Sequence, residues 1–212
     1  MPEHIYITAH CAISKQQVLK NEQKLFADHE AGLPEFLTAA YKHFELKYPK
    51  FYKMDLLSKL GWLATEILLN NDFATENYKP EDVGIVMTNA SSSLDADIRY
   101  FESVKEIASP ALFVYTLPNI VIGEISIKHK FKGENAFFIF EKFDAVFIHQ
   151  YVDSLFQNQL LQACICGWVE VIGDEYLAVL YLIEKEKNIV DNKAAMLFTT
   201  ENLNKIYQLH NG

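Results

Sequence analysis

Residues 109–135 read SPALFVYTLPNIVIGEISIKHKFKGEN, and they say more about the architecture than any other stretch of the chain. Pro110 stops the helical pattern before it, because proline disfavours helical backbone in the preceding residue. From Pro118 to Ile127 the apolar residues are periodic again, and the closing Gly-Glu-Asn is a turn signal. A strongly apolar strand, residues 136–140, follows. The stretch therefore predicts a periodic apolar segment, a turn and a strand in direct succession.

Strand-like and helix-like segments alternate on both sides of this stretch. The other predicted strands are residues 4–13, 83–88, 163–171 and 176–183. The predicted helices are residues 54–70, 95–107 and 145–161. Between the first strand and about residue 53, we expect a partly helical insertion. The alternation predicts an α/β fold with helices packed on the sheet, in a single domain over residues 1–212.

Short motifs occur in a fixed order along residues 1–171. They are the opening strand HIYITAHCAIS at 4–14, Lys53-Met54-Asp55 before a helix, the strand 83–86, the spaced pattern SP…PNxxxGxIxI with the turn 132–135, and CGWVE at 166–170. In this order they resemble the N-terminal half of the β-ketoacyl synthases. The resemblance implies a thiolase-like half with a mixed central sheet and helices packed on it.

In an active ketosynthase, the strand after the turn runs into a sharp elbow that presents the nucleophilic cysteine at a helix N-terminus, where the dipole stabilises a thiolate. The resemblance places this elbow at Glu141, Lys142, Phe143 and Asp144, with Lys142 nearest the cysteine position. Residues 136–150 contain no cysteine, serine or threonine. Lys142 is expected to be protonated beside Glu141, and Asp144 to cap the helix. The elbow is therefore interpreted as vestigial.

The catalytic histidines of the family are a second missing element. They lie in the C-terminal half of a ketosynthase, whereas the tail after Glu170 has no HGTGT-like motif and only one histidine, His210. The other six histidines are scattered singly along the chain. We therefore expect no catalytic residue, no metal site, no cofactor and no condensing activity from this chain alone.

The apolar strand is the predicted dimer contact. It contains Phe137, Phe138, Ile139 and Phe140, and an exposed edge strand of this kind would invite aggregation unless it were covered. The resemblance implies pairing of this strand across a two-fold axis, either with an identical chain or with a full-length ketosynthase. Burial inside the monomer is the alternative. The phenylalanines Phe137, Phe138 and Phe140, together with Phe143, are also expected to fill the former acyl tunnel.

The predicted function rests on the resemblance of this chain to subunits called chain length factors. These are ketosynthase-like, lack the nucleophile, pair with an active synthase and shape the acyl tunnel. We therefore predict a non-catalytic partner or chain-length-factor-like subunit in bacterial fatty-acid, polyketide or aryl-polyene-type biosynthesis. Short ketosynthase-like chains of this type also resemble proteins whose genes lie with those of bacterial aryl-polyene or flexirubin-type pigment pathways.

Two alternatives remain open. The first is a homodimer that binds acyl groups or acyl carrier protein, because the lysines Lys42, Lys47, Lys50 and Lys53 could steer an acidic carrier protein. The same lysines would also fit a solvated surface whose aliphatic stems cover aromatic rings. The second is an acyl-transfer enzyme with an unrecognised site at Cys11, at Cys166 or in the loop 91–93.

Composition narrows the partners and the compartment. The net charge of −9 argues against general nucleic-acid binding, because phosphate contacts need basic surface. No apolar run has membrane-spanning length, and the first residues lack the pattern of a signal peptide. The odd number of cysteines does not suggest disulfides, so the cytoplasm is expected. Cys164 and Cys166 share one strand face and are interpreted as packing residues.

Overall fold

A computed structural model describes residues 4–185 and 195–211. The strands are β1 (Ile5–Ser14), β2 (Gln17–Lys20), β3 (Gln23–Ala27), β4 (Val83–Asn89), β5 (Asn135–Ile139), β6 (Ala163–Ile172), β7 (Glu175–Lys185) and β8 (Met196–Leu197). The helices are α1 (Leu33–His43), α2 (Leu56–Leu69), α3 (Leu94–Val104), α4 (Pro110–Phe113), α5 (Ile120–His129), α6 (Ala145–Gln157) and α7 (Thr200–His210). Short 3₁₀ turns lie at Pro49–Lys53, Thr75–Asn77 and Pro80–Asp82.

One mixed sheet contains all the described strands. Its order is β3-β2-β1-β7-β6-β4-β5, and β8 pairs with β1. β4 runs parallel to both β5 and β6, and the other pairings are antiparallel. β5 therefore lies at one edge and β3 at the other. The predicted α/β class with a mixed central sheet is confirmed.

The helices cover both faces of the sheet, and this explains the strand patterns. α1, α2 and α5 pack on one face together with Ile165 and Val169 of β6. α6 and α7 pack on the other face together with Cys164 and Cys166. Because side chains alternate along a strand, two faces buried under helices require a nearly continuous apolar sequence. β4 is buried at every position for this reason.

Residues 109–135 form α4, α5 and the turn into β5, as their pattern predicts. The turn approaches β4 so closely that a Cβ atom at Gly133 would lie 2.4 Å from the carbonyl oxygen of Val83. Glycine is therefore required, and the Gly133 amide donates to that same carbonyl at 3.1 Å. This contact fixes the start of β5 against β4.

The region after β1 differs in part from the prediction. It contains the two short strands β2 and β3 before α1, in addition to the expected helix. Their turns use left-handed backbone at Lys15, Gln16, Asn21 and Glu22, none of which is glycine. The usual Gly-containing turn signal of a hairpin is thus absent, and the strands were not predicted.

Candidate functional site

The predicted vestigial elbow lies between β5 and α6, and its members have different environments. Glu141 and Lys142 are exposed. Asp144 is the N-cap of α6, and its Oδ1 accepts a hydrogen bond of 2.9 Å from the amide of Phe147. A carboxylate in this position satisfies an amide at the helix start that would otherwise be available to an anion. The start of α6 is therefore capped by the chain itself.

Phe143 is the buried member of the elbow. Its ring stacks on that of Tyr207 in α7, with centroids 4.1 Å apart and planes inclined by 9°. The rings of Trp168 and Tyr181 lie 6.4 and 6.3 Å away. Only 8% of Phe143 is exposed. The residue after Lys142 thus serves as a packing anchor between the elbow, the sheet and α7.

The phenylalanines of the predicted dimer strand face opposite sides of the sheet. Phe137 packs against the core under α2 and α5, whereas Phe138 packs toward α6. The Phe138 ring lies 4.8 Å from Phe147 and 5.0 Å from Tyr151. Phe140 joins the same group at 4.7 Å from Phe147. These aromatic side chains occupy the space between β5 and the first turns of α6.

The backbone of β5 has one open side. Among residues 4–185 and 195–211, its only strand partner is β4. The bonds from Ile85 N to Glu134 O and from Phe140 N to Asn89 O bracket this parallel pairing. Because bonding direction alternates along a strand, Asn135, Phe137 and Ile139 present their amides and carbonyls to the open edge. Ile139 is also 46% exposed through its side chain.

A group of exposed apolar side chains lies in and around the two helices that follow β4. We call it the α3–α4 surface, and it comprises Leu94, Ile98, Phe101, Val104, Ile107, Phe113, Val114 and Leu117. Ile107 is 85% exposed and Phe101 66%. α3 starts just after β4, whose last residue also receives the end of β5, so the surface and the open edge occur at the same end of the sheet. Large exposed apolar patches mark interaction sites.

The loop after β4, residues 90–93, binds the carboxylate of Glu170, and we call it the serine loop. The amides of Ala90 and Ser91 donate to Oε2 of Glu170 at 2.6 and 3.2 Å. Ser93 donates through Oγ to the carbonyl of Thr116 at 2.9 Å. A pair of convergent amides is what an oxyanion site needs, but here Glu170 takes both. A cavity of about 340 Å³ beside this loop is lined in part by Glu170, Trp168 and Tyr207.

All three cysteines are buried in the hydrophobic core, where they pack against other side chains. Cys11, Cys164 and Cys166 are free thiols with no exposed surface. Burial raises the pKa of Cys11 to about 12 and raises the pKa values of Cys164 and Cys166 as well. A nucleophilic cysteine needs a depressed pKa and access to substrate. The structure therefore argues against the alternative of a thiol nucleophile at Cys11 or Cys166.

The lysines of the proposed carrier-protein patch are all exposed, but one of them has a buried partner. Lys50 Nζ lies 2.8 Å from the carboxylate of Glu124, a residue of α5 that is only 3% exposed. The hydroxyl groups of Tyr115 and Tyr48 lie 3.4 and 3.5 Å from the same carboxylate. Burial, and then the charge of Glu124, raise the pKa of Tyr115. Lys50 is thus a structural cation, and Lys42, Lys47 and Lys53 remain candidates for docking.

The structural roles of two acidic residues, Glu124 and Glu170, were not identified from the sequence. Glu124 lies within an apolar helix, and this charge inside a buried pattern was the available signal. Glu170 ends the CGWVE motif, but its contact with the serine loop spans 80 residues of sequence and has no local signature.

None of the helices in the described ranges is both long enough and apolar enough to cross a bilayer.

Comparison with known proteins gives matches at the level of structure. No protein-family model and no curated protein matches the sequence. A type II PKS acyl-carrier protein in complex with its ketosynthase (AntDE:AntF) superposes with a TM-score of 0.61 at 14% identity, covering 88% of this chain and 64% of that chain. The ishigamide ketosynthase/chain length factor gives a TM-score of 0.60 at 15% identity, covering 87% and 63%. This chain thus spans under two thirds of both.

A third solved structure corresponds nearly end to end. It is the ketosynthase ApeO in complex with its chain length factor ApeC from Xenorhabdus doucetiae. The TM-score is 0.57 at 13% identity, and the match covers 99% of this chain and 92% of that one. All three similarities rest on the arrangement of the sheet and its helices. The chain therefore has the thiolase-like fold of the ketosynthases and their chain length factors.

Proposed function

We propose that this chain is a non-catalytic subunit that pairs with a catalytic ketosynthase, in the manner of a chain length factor. The observation that carries the proposal is the open edge of β5, and the exposed α3–α4 surface at the same end of the sheet adds to it. An unpaired edge and a large apolar surface at one end of a sheet are both costly in water. A partner strand on β5 would cover the edge, and a partner that also reaches past the end of β4 would cover the surface.

A longer ketosynthase is a better partner than a second copy of this chain. The end-to-end match is to a chain from a complex of a ketosynthase with its chain length factor. The elbow has Lys142 where the family resemblance expects the cysteine, so two identical chains would contain no nucleophile of that kind. A heterodimer would supply the reactive cysteine from the partner. The proposed setting is a cytoplasmic polyketide, fatty-acid or aryl-polyene-type pathway.

The first test separates a silent elbow from a reactive one. In a complex with a full-length ketosynthase from the same organism, Lys142→Ala is expected to change the condensation rate by no more than about twofold. The reason is that Lys142 is exposed and the adjoining helix start is capped by Asp144. The matched change, the ketosynthase cysteine to alanine, should abolish condensation. A loss of about tenfold with Lys142→Ala would contradict the proposal.

Carrier-protein docking is a second candidate function, supported by three exposed lysines near one aromatic segment. Reversing Lys42, Lys47 and Lys53 to glutamate is expected to weaken carrier-protein binding by about tenfold at low salt, mostly through slower association. Surface plasmon resonance at two salt concentrations measures the effect. It should shrink as salt rises, because exposed charges are screened. Lys50 stays unchanged, since its substitution would also leave Glu124 buried without its cation.

The control has the same change in net charge at other sites. Reversing Lys24, Lys105 and Lys205, which are also exposed, should leave the affinity within about twofold of the parent. If both triple variants lost affinity equally, the effect would be one of total charge and the docking site would be wrong.

A further inference from the structure

Two histidines that are 200 residues apart in sequence meet at one end of the fold. His10 lies in β1, and His210 is the last residue of α7. Their ring centroids are 6.5 Å apart. Glu22, in the turn between β2 and β3, reaches between them. The cluster joins three separate elements and lies outside the elbow and the β5 edge.

The three side chains present converging donor atoms. His10 Nε2 lies 2.8 Å from Glu22 Oε1, and His210 Nε2 lies 3.6 Å from the same oxygen. One ligand atom from each of the three residues lies within 4.8 Å of the other two. Ligands bound tetrahedrally to zinc at about 2.1 Å are about 3.4 Å apart. Side-chain shifts of about one ångström would therefore bring these atoms into coordination.

His210 provides the independent observation. Its side chain is only 5% exposed, and its Nε2 atom is buried without a hydrogen-bond partner among the described residues. A separation of 3.6 Å from Glu22 is too long for a hydrogen bond. A buried polar atom without a partner is costly, so such atoms are few in native proteins. The nearest acceptor to this nitrogen is the Glu22 carboxylate, which is already in contact with His10 Nε2.

The surroundings allow an ion to enter and hold the ligands in place. The Glu22 side chain is half exposed, and cavities of about 310 and 460 Å³ adjoin His10 and His210 respectively. The turn is fixed to β1 by two hydrogen bonds, from the His10 amide to Asn21 Oδ1 at 2.9 Å and from the Asn21 amide to the His10 carbonyl at 3.0 Å. The site is therefore accessible from solvent and built on ordered backbone.

We propose that His10, Glu22 and His210 bind a zinc ion. Two imidazole nitrogens and one carboxylate oxygen are a ligand set that zinc favours, and a fourth position remains for solvent. A bound ion would satisfy His210 Nε2 and cross-link α7 to β1 and to the β2–β3 turn. The site would therefore stabilise the C-terminal helix on the sheet.

The test uses the untagged chain, stripped with chelator and equilibrated with zinc chloride. Elemental analysis after gel filtration is expected to give one zinc per chain, and the melting temperature should rise by about 5–10 °C at a hundredfold excess over the dissociation constant. Cobalt in place of zinc should give the intense visible absorption of a four-coordinate site. Glu22→Gln is expected to lower the zinc affinity at least about tenfold, since it removes the charged ligand.

Glu22→Gln is the decisive variant because the residue is in a surface turn, so the chain should fold without it. His210→Gln tests the buried ligand and should also abolish the cobalt spectrum. The matched control is His29→Gln, which changes an exposed histidine outside the cluster and should bind zinc like the parent. Absence of bound zinc in the parent, or equal binding in the parent and Glu22→Gln, would overturn the proposal.

Discussion

Replacing Ile139 by lysine is expected to dissociate the proposed complex with a ketosynthase while the chain itself stays folded. Ile139 faces the open edge of β5 with its backbone and is half exposed through its side chain. In a paired edge, the lysine would be buried without a counter-charge, and lysine is the residue that natural edge strands use to prevent pairing. We expect a loss of about 2–4 kcal/mol of binding free energy, or about 30- to 1000-fold in Kd.

Two comparisons make this result specific. Leu209→Lys places the same charge on an exposed apolar residue of α7, away from the edge, and should leave the Kd unchanged. Phe138 would be a poorer probe, because its ring packs on Phe147 and Tyr151 and its loss would disturb the fold. Isothermal titration calorimetry with the purified ketosynthase gives the Kd. An Ile139→Lys variant that bound as tightly as the parent would exclude β5 from the interface.

Replacing Phe143 by alanine is expected to lower the free energy of unfolding by about 3–5 kcal/mol. Phe143 is buried and stacks on Tyr207, with Trp168 and Tyr181 as further ring neighbours. Alanine would leave a cavity between the elbow and α7 that this aromatic core cannot refill. Urea denaturation followed by circular dichroism measures the change. The effect matters for function because it identifies the elbow as a packing element.

The control for this prediction is an exposed phenylalanine. Phe113→Ala removes a side chain that is 58% exposed on the α3–α4 surface and should change stability by no more than about 0.5 kcal/mol. If Phe143→Ala also cost less than about 1 kcal/mol, the ring would be dispensable. The elbow would then be loosely packed, and the interpretation of Phe143 as an anchor would be wrong.

Sequence patterns were sufficient where the signal is local to a single element. The 3.6-residue period of the α2 segment and the alternation that places Cys164 and Cys166 on one face both correspond to what the structure contains. The N-cap role of Asp144 was also predicted, because a carboxylate before an apolar periodic segment is a local signal. The order of motifs around residues 109–135 led to the fold that the solved structures support.

Features made by distant residues had no such signal. β2 and β3 are short and mix polar with apolar residues, and their turns lack glycine, so nothing local marked them as strands. The ion pair of Lys50 with Glu124 and the meeting of His10 with His210 depend on how the elements pack. The expectation of no metal site rested on histidines that are isolated in sequence, and the proposed zinc site departs from it. Tertiary contacts decide such sites.

The measurement that tests the central claim most directly is native mass spectrometry of the untagged chain, purified from the organism that encodes it. We predict a 1:1 complex with a longer ketosynthase that has its own nucleophilic cysteine, and disruption of that complex by Ile139→Lys. A species with the mass of one or two copies of this chain alone would contradict the account.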